Sequence, residues 1–157
     1  FLLFNVSKGA TVSLIMLYVV LITCVVLSTV LAGEKKREFY ENMLESHDII
    51  GCGSYDSVMK VSSWKEEEKY FHHIKHKKVF YRAILEDTPM NRKFTAIAKG
   101  IAHFKFLEEG VKISADIHAY GDEVALMSYE KVTATVIRDE SIAKSIRTLL
   151  EFMWERV

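Results

Sequence analysis

The sequence predicts an α/β fold, a mixed sheet with flanking helices, and three observations carry that prediction. Apolar side chains recur on both sides of Gly121-Asp122, from Ile117 to Glu130, which reads as two strands joined by a tight Gly-Asp turn. Two upstream apolar runs, Asp48–Tyr55 and Val79–Leu85, are each followed by a helical pattern. After Asp139, apolar residues return at helical spacing to the end of the chain.

At 157 residues the chain has room for one domain and an appendage. Half its residues are hydrophobic, enough for a core, but they are unevenly placed. Ala10–Ala32 is a run of 23 residues without a charge. As a helix it would be roughly 35 Å long, sufficient to cross a bilayer core of about 30 Å. A helix apolar all round is hard to enclose in so small a domain, so residues 10–32 are expected to be a membrane segment. A cleaved signal peptide is the competing reading, because Val30-Leu31-Ala32 precedes Gly33; the long apolar run argues against it. Lys35-Lys36-Arg37 follow the span while Lys8 alone precedes it, so the body is expected on the cytoplasmic side of a single-pass protein. The chain begins at Phe1, which is taken as a fragment, a processed form or a truncated reading frame, with a fusion or frameshift as one origin of the apolar run.

All 21 acidic residues and every basic residue except Lys8 lie after Ala32. The body is thus nearly neutral and offers no electrostatic reason to bind nucleic acid. Two cysteines, Cys24 and Cys52, do not form a disulfide framework.

Along the body, Glu38–Ser46 reads as a short amphipathic helix with Phe39, Met43 and Leu44 on one face. Asp48–Tyr55 reads as a short buried strand ending in a Gly-Ser turn. Gly51 and Gly53 let another group approach the backbone closely, and the turn's N–H groups could meet an anion, although the Gly-Lys-Ser/Thr ending of a phosphate loop is absent. Asp56–Val61 and Trp64–His76 read as helical pieces, the second opened by the capping box Ser63-Trp-Lys-Glu66. Trp64, Phe71 and Ile74 are expected inside, and Glu66, Glu67, Glu68 and Lys69 in solvent. His72 and His76 stand four apart with Glu68 on their face, but nothing completes a metal set, and no metal or cofactor is expected.

Val79–Leu85 is a strand, and Asp87 or Thr88 caps a helix that has Pro89 in its first turn and runs to about Ile101. His103–Leu107 is a strand and Glu108–Gly110 a turn. Val111–Ala119, Glu123–Glu130 and Val132–Arg138 form a three-strand meander. Its first strand places Ile113, Ala115, Ile117 and Ala119 on one face, and Lys112, Ser114, Asp116 and His118 on a polar face. Asp139 caps a final helix whose inner face carries Ile142, Ile146, Leu149, Leu150 and Met153, with Trp154 closing the core.

Several stretches in this order resemble the C-terminal effector domain of TrmB-like transcriptional regulators. They are Gly53-Ser-Tyr-Asp56, Arg82-Ala-Ile-Leu-Glu-Asp-Thr-Pro89 with Asn91-Arg92, Tyr120–Glu130, Ile142-Ala-Lys-Ser with Arg147, and Phe152-x-Trp154. The resemblance spans about residues 38–157. It implies a phospholipase D-like fold that senses a small ligand such as a sugar, and usually follows a winged-helix DNA-binding domain. Here an apolar span stands in that place, so DNA binding would require a domain absent from this chain. Because phospholipase D folds pair two halves, a homodimer is also expected.

Phospholipase D chemistry needs His-x-Lys-x-x-x-x-Asp, the histidine attacking phosphorus and the lysine steadying its oxygens. With Asp122 in the last place, the other two fall on Ala115 and Ile117, which can do neither. His73-Ile-Lys75 and His76-Lys-Lys78 begin the pattern, but Phe80 and Ala83 stand where each needs its aspartate. The expectation is therefore no catalytic residues and no enzyme. Residues 1–37 are a transmembrane segment with a basic flank, and residues 38–157 a sensor domain. The alternatives are a membrane-anchored binding module with no part in transcription and a phosphodiesterase. Ligands of α/β sheets sit beyond the carboxyl ends of strands, which selects Gly53, Ser54, Tyr55, Glu86 and Asp87, with His118 and Asp122 as further candidates.

Overall fold

The computed structural model describes residues 39–157. The membrane segment at 10–32, its basic flank and the orientation they imply lie outside the described residues. Among the described residues no helix is long and apolar enough to cross a membrane.

The body, Asn42–Val157, is an α/β unit built on one six-stranded mixed sheet with flanking helices. A helical stretch at residues 39–45 ends with Met43 and Leu44 buried. Then follow β1 (Asp48–Gly53), α1 (Tyr55–Val58), α2 (Trp64–Lys77), β2 (Phe80–Leu85), α3 (Pro89–Ile97) and β3 (His103–Phe106). The meander is β4 (Asp116–Tyr120), β5 (Glu123–Ser128) and β6 (Thr133–Arg138), and α4 (Glu140–Trp154) closes the chain.

The strand order is β3-β2-β1-β4-β5-β6. β1, β2 and β3 are parallel, and β4, β5 and β6 run antiparallel from the other side of β1. The first two crossovers step in one direction, and right-handed crossovers then put α2 and α3 on the same face. Their packing agrees: Phe71 of α2 lies 5.2 Å from Phe94 of α3 and 6.2 Å from Tyr81 of β2, centroid to centroid. The final helix α4 serves the opposite face, where Leu150 joins Ile50, Cys52, Ile84 and Ala119 in one core cluster.

Helix starts follow the local chemistry expected of them. Ser63 and Glu66 form a reciprocal capping box on α2, Thr88 caps α3 with Pro89 in the first turn, and Asp139 caps α4. Gly121-Asp122 makes the tight turn between β4 and β5, with Gly121 at φ 48°.

Five expectations need correction. The helix α3 stops at Ile97 rather than near Ile101, and the chain turns through Gly100 at φ 78°. The strand β4 begins only at Asp116, so residues 107–115 form a loop. Asp116 and His118 are buried, because α2 and α3 cover the sheet face that period-two alternation assigns to solvent. On α4, Ile142 and Leu149 are exposed, and the inner line is Ala143, Ile146 and Leu150. Glu67, expected in solvent, is also largely buried and accepts a 2.6 Å hydrogen bond from the Ser62 hydroxyl.

Candidate functional site

Parallel pairing brings the carboxyl ends of β1, β2 and β3 to one edge of the sheet, and antiparallel β4 begins at that edge. Between β3 and β4 the chain must pass β2 and β1, three interstrand gaps or about 14 Å. The strap, residues 107–115, makes this crossing. It is tied down at its start by the Leu107 N–H on the Leu85 carbonyl, at 2.8 Å. Leu107 and Ile113 pack against the core cluster.

Beneath the strap is a buried polar cluster. Asp116 lies over Gly53, where any Cβ would collide with its carboxylate. The Ser54 N–H donates to Asp116 Oδ1 at 3.1 Å, and the Ser54 hydroxyl donates to Glu86 Oε2 at 3.4 Å. Glu86 also accepts from the Ile113 N–H of the strap, and Lys112 Nζ reaches Glu86 Oε2 at 3.5 Å. Asn91 joins the two turns: its amide donates to the Glu86 carbonyl at 2.8 Å, and its Oδ1 accepts the Tyr55 N–H at 2.8 Å. Ser54, Glu86, Asn91 and Asp116 are all buried.

The electrostatics follow from that burial. Removal from water, reinforced by the facing Glu86 charge, pushes the Asp116 carboxyl up to about 7, against the Ser54 N–H that favours its ionised form. Burial, with the Asp116 charge nearby, raises the Cys52 thiol to about 11. His118 lies two residues along β4, opposite Gly51, in a space where a Gly51 Cβ would come within 3.1 Å of its ring. Burial lowers its pKa to about 4, so the imidazole is neutral, and its Nδ1 has no hydrogen-bond partner among the described residues.

The structure thus brings together Gly53, Ser54 and Glu86 of the sequence-selected set. Tyr55 contributes its backbone N–H, while its ring stacks on Phe94 at 3.3 Å and belongs to the core. Asp87 turns outward and pairs with Arg92 through two 2.6 Å hydrogen bonds. Asp122 is exposed in the turn at the opposite edge, where Tyr120 pairs with Ile49 and the Gly121 N–H donates to Ser46 Oγ. Sequence reasoning missed Asn91, Lys112 and Asp116. For Asp116 the signal was partial: Gly53 was already marked for close approach, but the sequence did not name the approaching group.

Among the described residues, no group of three or more His, Cys, Asp or Glu side chains is arranged to hold a metal ion. No protein-family model matches the chain, and no curated protein matches it.

Proposed function

We propose that residues 38–157 form a non-catalytic sensor domain that binds a small polar ligand at the carboxyl ends of β1 and β2. The observation that carries this reading is the buried cluster of Ser54, Glu86, Asn91 and Asp116 under the strap. Its carboxylate oxygens, hydroxyl and amide supply the mix of donors and acceptors that a sugar or similar polyol requires. It lies where the chain leaves β1 toward β2 on one side and later returns as β4 on the other, the switch point at which α/β sheets bind ligands.

The same reading takes the fold as phospholipase D-like and the domain as an effector domain of the TrmB-like kind, tethered through residues 10–32 and paired with a second copy. DNA contact is assigned to a domain absent from this chain. Support for a non-catalytic role comes from the hairpin. Ile117 packs against the apolar core cluster, Ala115 carries no reactive group, and Asp122 is at the sheet edge remote from the polar cluster.

A thermal-shift screen of the full chain against sugars and nucleotides tests the binding claim. A ligand at a hundred times its dissociation constant stabilises the native state by roughly 2.7 kcal/mol and raises the melting temperature accordingly. Silence across a broad panel would count against a sensor, and turnover of phosphodiesters that disappears in Asp122→Asn would replace it with an enzyme.

A further inference from the structure

We propose that β6 is the edge by which two copies of this chain join, pairing antiparallel about a two-fold axis at Thr135 so that two six-stranded sheets become one. The edge deepens the pairing with a second copy named above and rests on that reading, but it uses none of the ligand site.

The two edges of the sheet are built differently. At one end is β3, only four residues long, with His103 exposed and Lys105 reaching the carbonyls of Trp154 and Val157. Short length and charge are devices by which sheet edges resist pairing. At the other end, β6 has neither. Val132–Ile137 holds no charge, proline or glycine. The β-branched Thr133, Thr135, Val136 and Ile137 suit a strand with neighbours on both sides. Thr133, Ala134 and Thr135 are exposed. Among the described residues no strand lies beyond β6, and the backbone of Thr133–Ile137 is bonded there only through its ladder with β5. Alternate residues of an antiparallel strand turn N–H and C=O outward, which leaves a row of donors and acceptors for an added strand.

The sequence of this edge selects a copy of itself as the partner. Because only alternate residues face outward, the numbers of facing residues in a two-fold antiparallel pair have an even sum, and the axis passes through a residue. With the axis at Thr135, Thr133 faces the partner's Ile137 and Ala134 faces the partner's Val136, so the strand is matched against itself. Beyond the strand, Lys131 stands opposite the partner's Asp139, and the same pair recurs at the other end. Asp139 continues the extended backbone of β6, at φ −154°. Opposite charges facing each other across strands favour the pair. An axis at Ala134 sets Lys131 against the partner's Ile137 and offers Glu130 to an Arg138 that Glu123 already engages. An axis at Val136 sets Val132 against the partner's Glu140. Both lose the two Lys131–Asp139 pairs.

Sedimentation equilibrium of the full chain, in detergent matched in density to the solvent, tests the edge. The unmodified chain should sediment as a dimer. Thr135→Lys, at an exposed position, should keep its far-ultraviolet circular dichroism but become monomeric, because two ammonium groups would meet on the axis. Thr135→Glu should do the same. An equal mixture of the two variants should return to a dimer, since the axis then sets lysine against glutamate. Amide exchange gives a second reading. Every amide from Thr133 to Ile137 should be protected in the unmodified dimer, and only alternate ones in Thr135→Lys. The outward amides should gain protection by about tenfold when the chain stands at ten times its dissociation constant. A monomeric unmodified chain, with its edge left for some other extended segment, would overturn both the edge and the pairing it rests on. A dimer that survives both single variants, or that their mixture fails to restore, would overturn the edge alone and give the pairing to another surface.

Discussion

Val132 stands just before β6 at φ 51°, with 75% of its surface exposed. A β-branched residue in the left-handed region costs roughly 1–2 kcal/mol, and here burial returns little of it. Val132→Gly is expected to stabilise the domain by about 1 kcal/mol in denaturant unfolding. The opposite holds at Gly53, where a methyl group has no room beside Asp116. Gly53→Ala should cost roughly 1–3 kcal/mol, and Asp116→Ala in the same chain should recover part of that loss, a non-additive result that a double-mutant cycle would register. Gly53 is also the residue at which the sequence was most informative. A glycine pair in a buried strand pointed to a close approach, and the approaching groups are Asp116 at Gly53 and the Ile117 carbonyl at Gly51, 2.9 Å from where a Cβ would stand. The partners themselves were hidden, because pairing of β1 with β4 joins segments more than sixty residues apart.

At the level of single elements, the helix ends were legible because capping depends on neighbours within four residues, as at Ser63-Glu66 and Asp139. Which face of α4 turns inward was less so. Ile142, Leu149 and Leu150 are equally apolar, and the choice is made by the sheet and by an ion-pair network. Arg82 binds Glu151 with two 2.6 Å hydrogen bonds, while Arg147 reaches Asp48 and the Ala119 carbonyl. These contacts set the roll of the helix, so that Leu150 is 3% exposed and Leu149 is 59% exposed. Leu150→Ala should therefore cost roughly 2–5 kcal/mol, whereas Leu149→Ala should remain within about half a kcal/mol of the unmodified chain. Equal losses at the two positions in chemical denaturation would place the helix in the other orientation. The covered second face of β4 escaped notice for a related reason: alternation predicts one wet face, but helices from the two crossovers shield both Asp116 and His118.

Across the whole molecule, Asp116 and His118 pull stability in opposite directions over one pH range. Asp116 has its native pKa raised from 3.8 to about 7, so its stability is complete below 3.8 and is lost as the pH climbs toward 7. His118 has its value lowered from 6.5 to about 4, so its contribution is present above 6.5 and is lost as the pH falls toward 4. The two slopes offset each other between about 4 and 6.5. Asp116→Asn should leave a stability that rises with pH relative to the unmodified chain, and His118→Gln one that falls, each by about 1 kcal/mol per pH unit. Denaturant titrations at half-unit pH steps would show the pair of opposed slopes; matching slopes in both variants would contradict these environments.

The strand order also explains why the polar cluster forms where it does. A chain that moves from β1 to β3 on one side and must restart at β4 on the other has to cross the carboxyl ends of two strands, and the crossing strap encloses whatever polar groups stand there. The most direct test of the proposed binding site is to map amide chemical-shift changes on the full chain as sugars from the panel are added. The expected result is a set of saturable changes at Ser54, Tyr55, Glu86 and Ile113, abolished in Asn91→Ala while the fold is retained. Changes gathered at the Gly121-Asp122 turn instead, or none with any sugar or nucleotide tried, would contradict a ligand site at the carboxyl ends of β1 and β2.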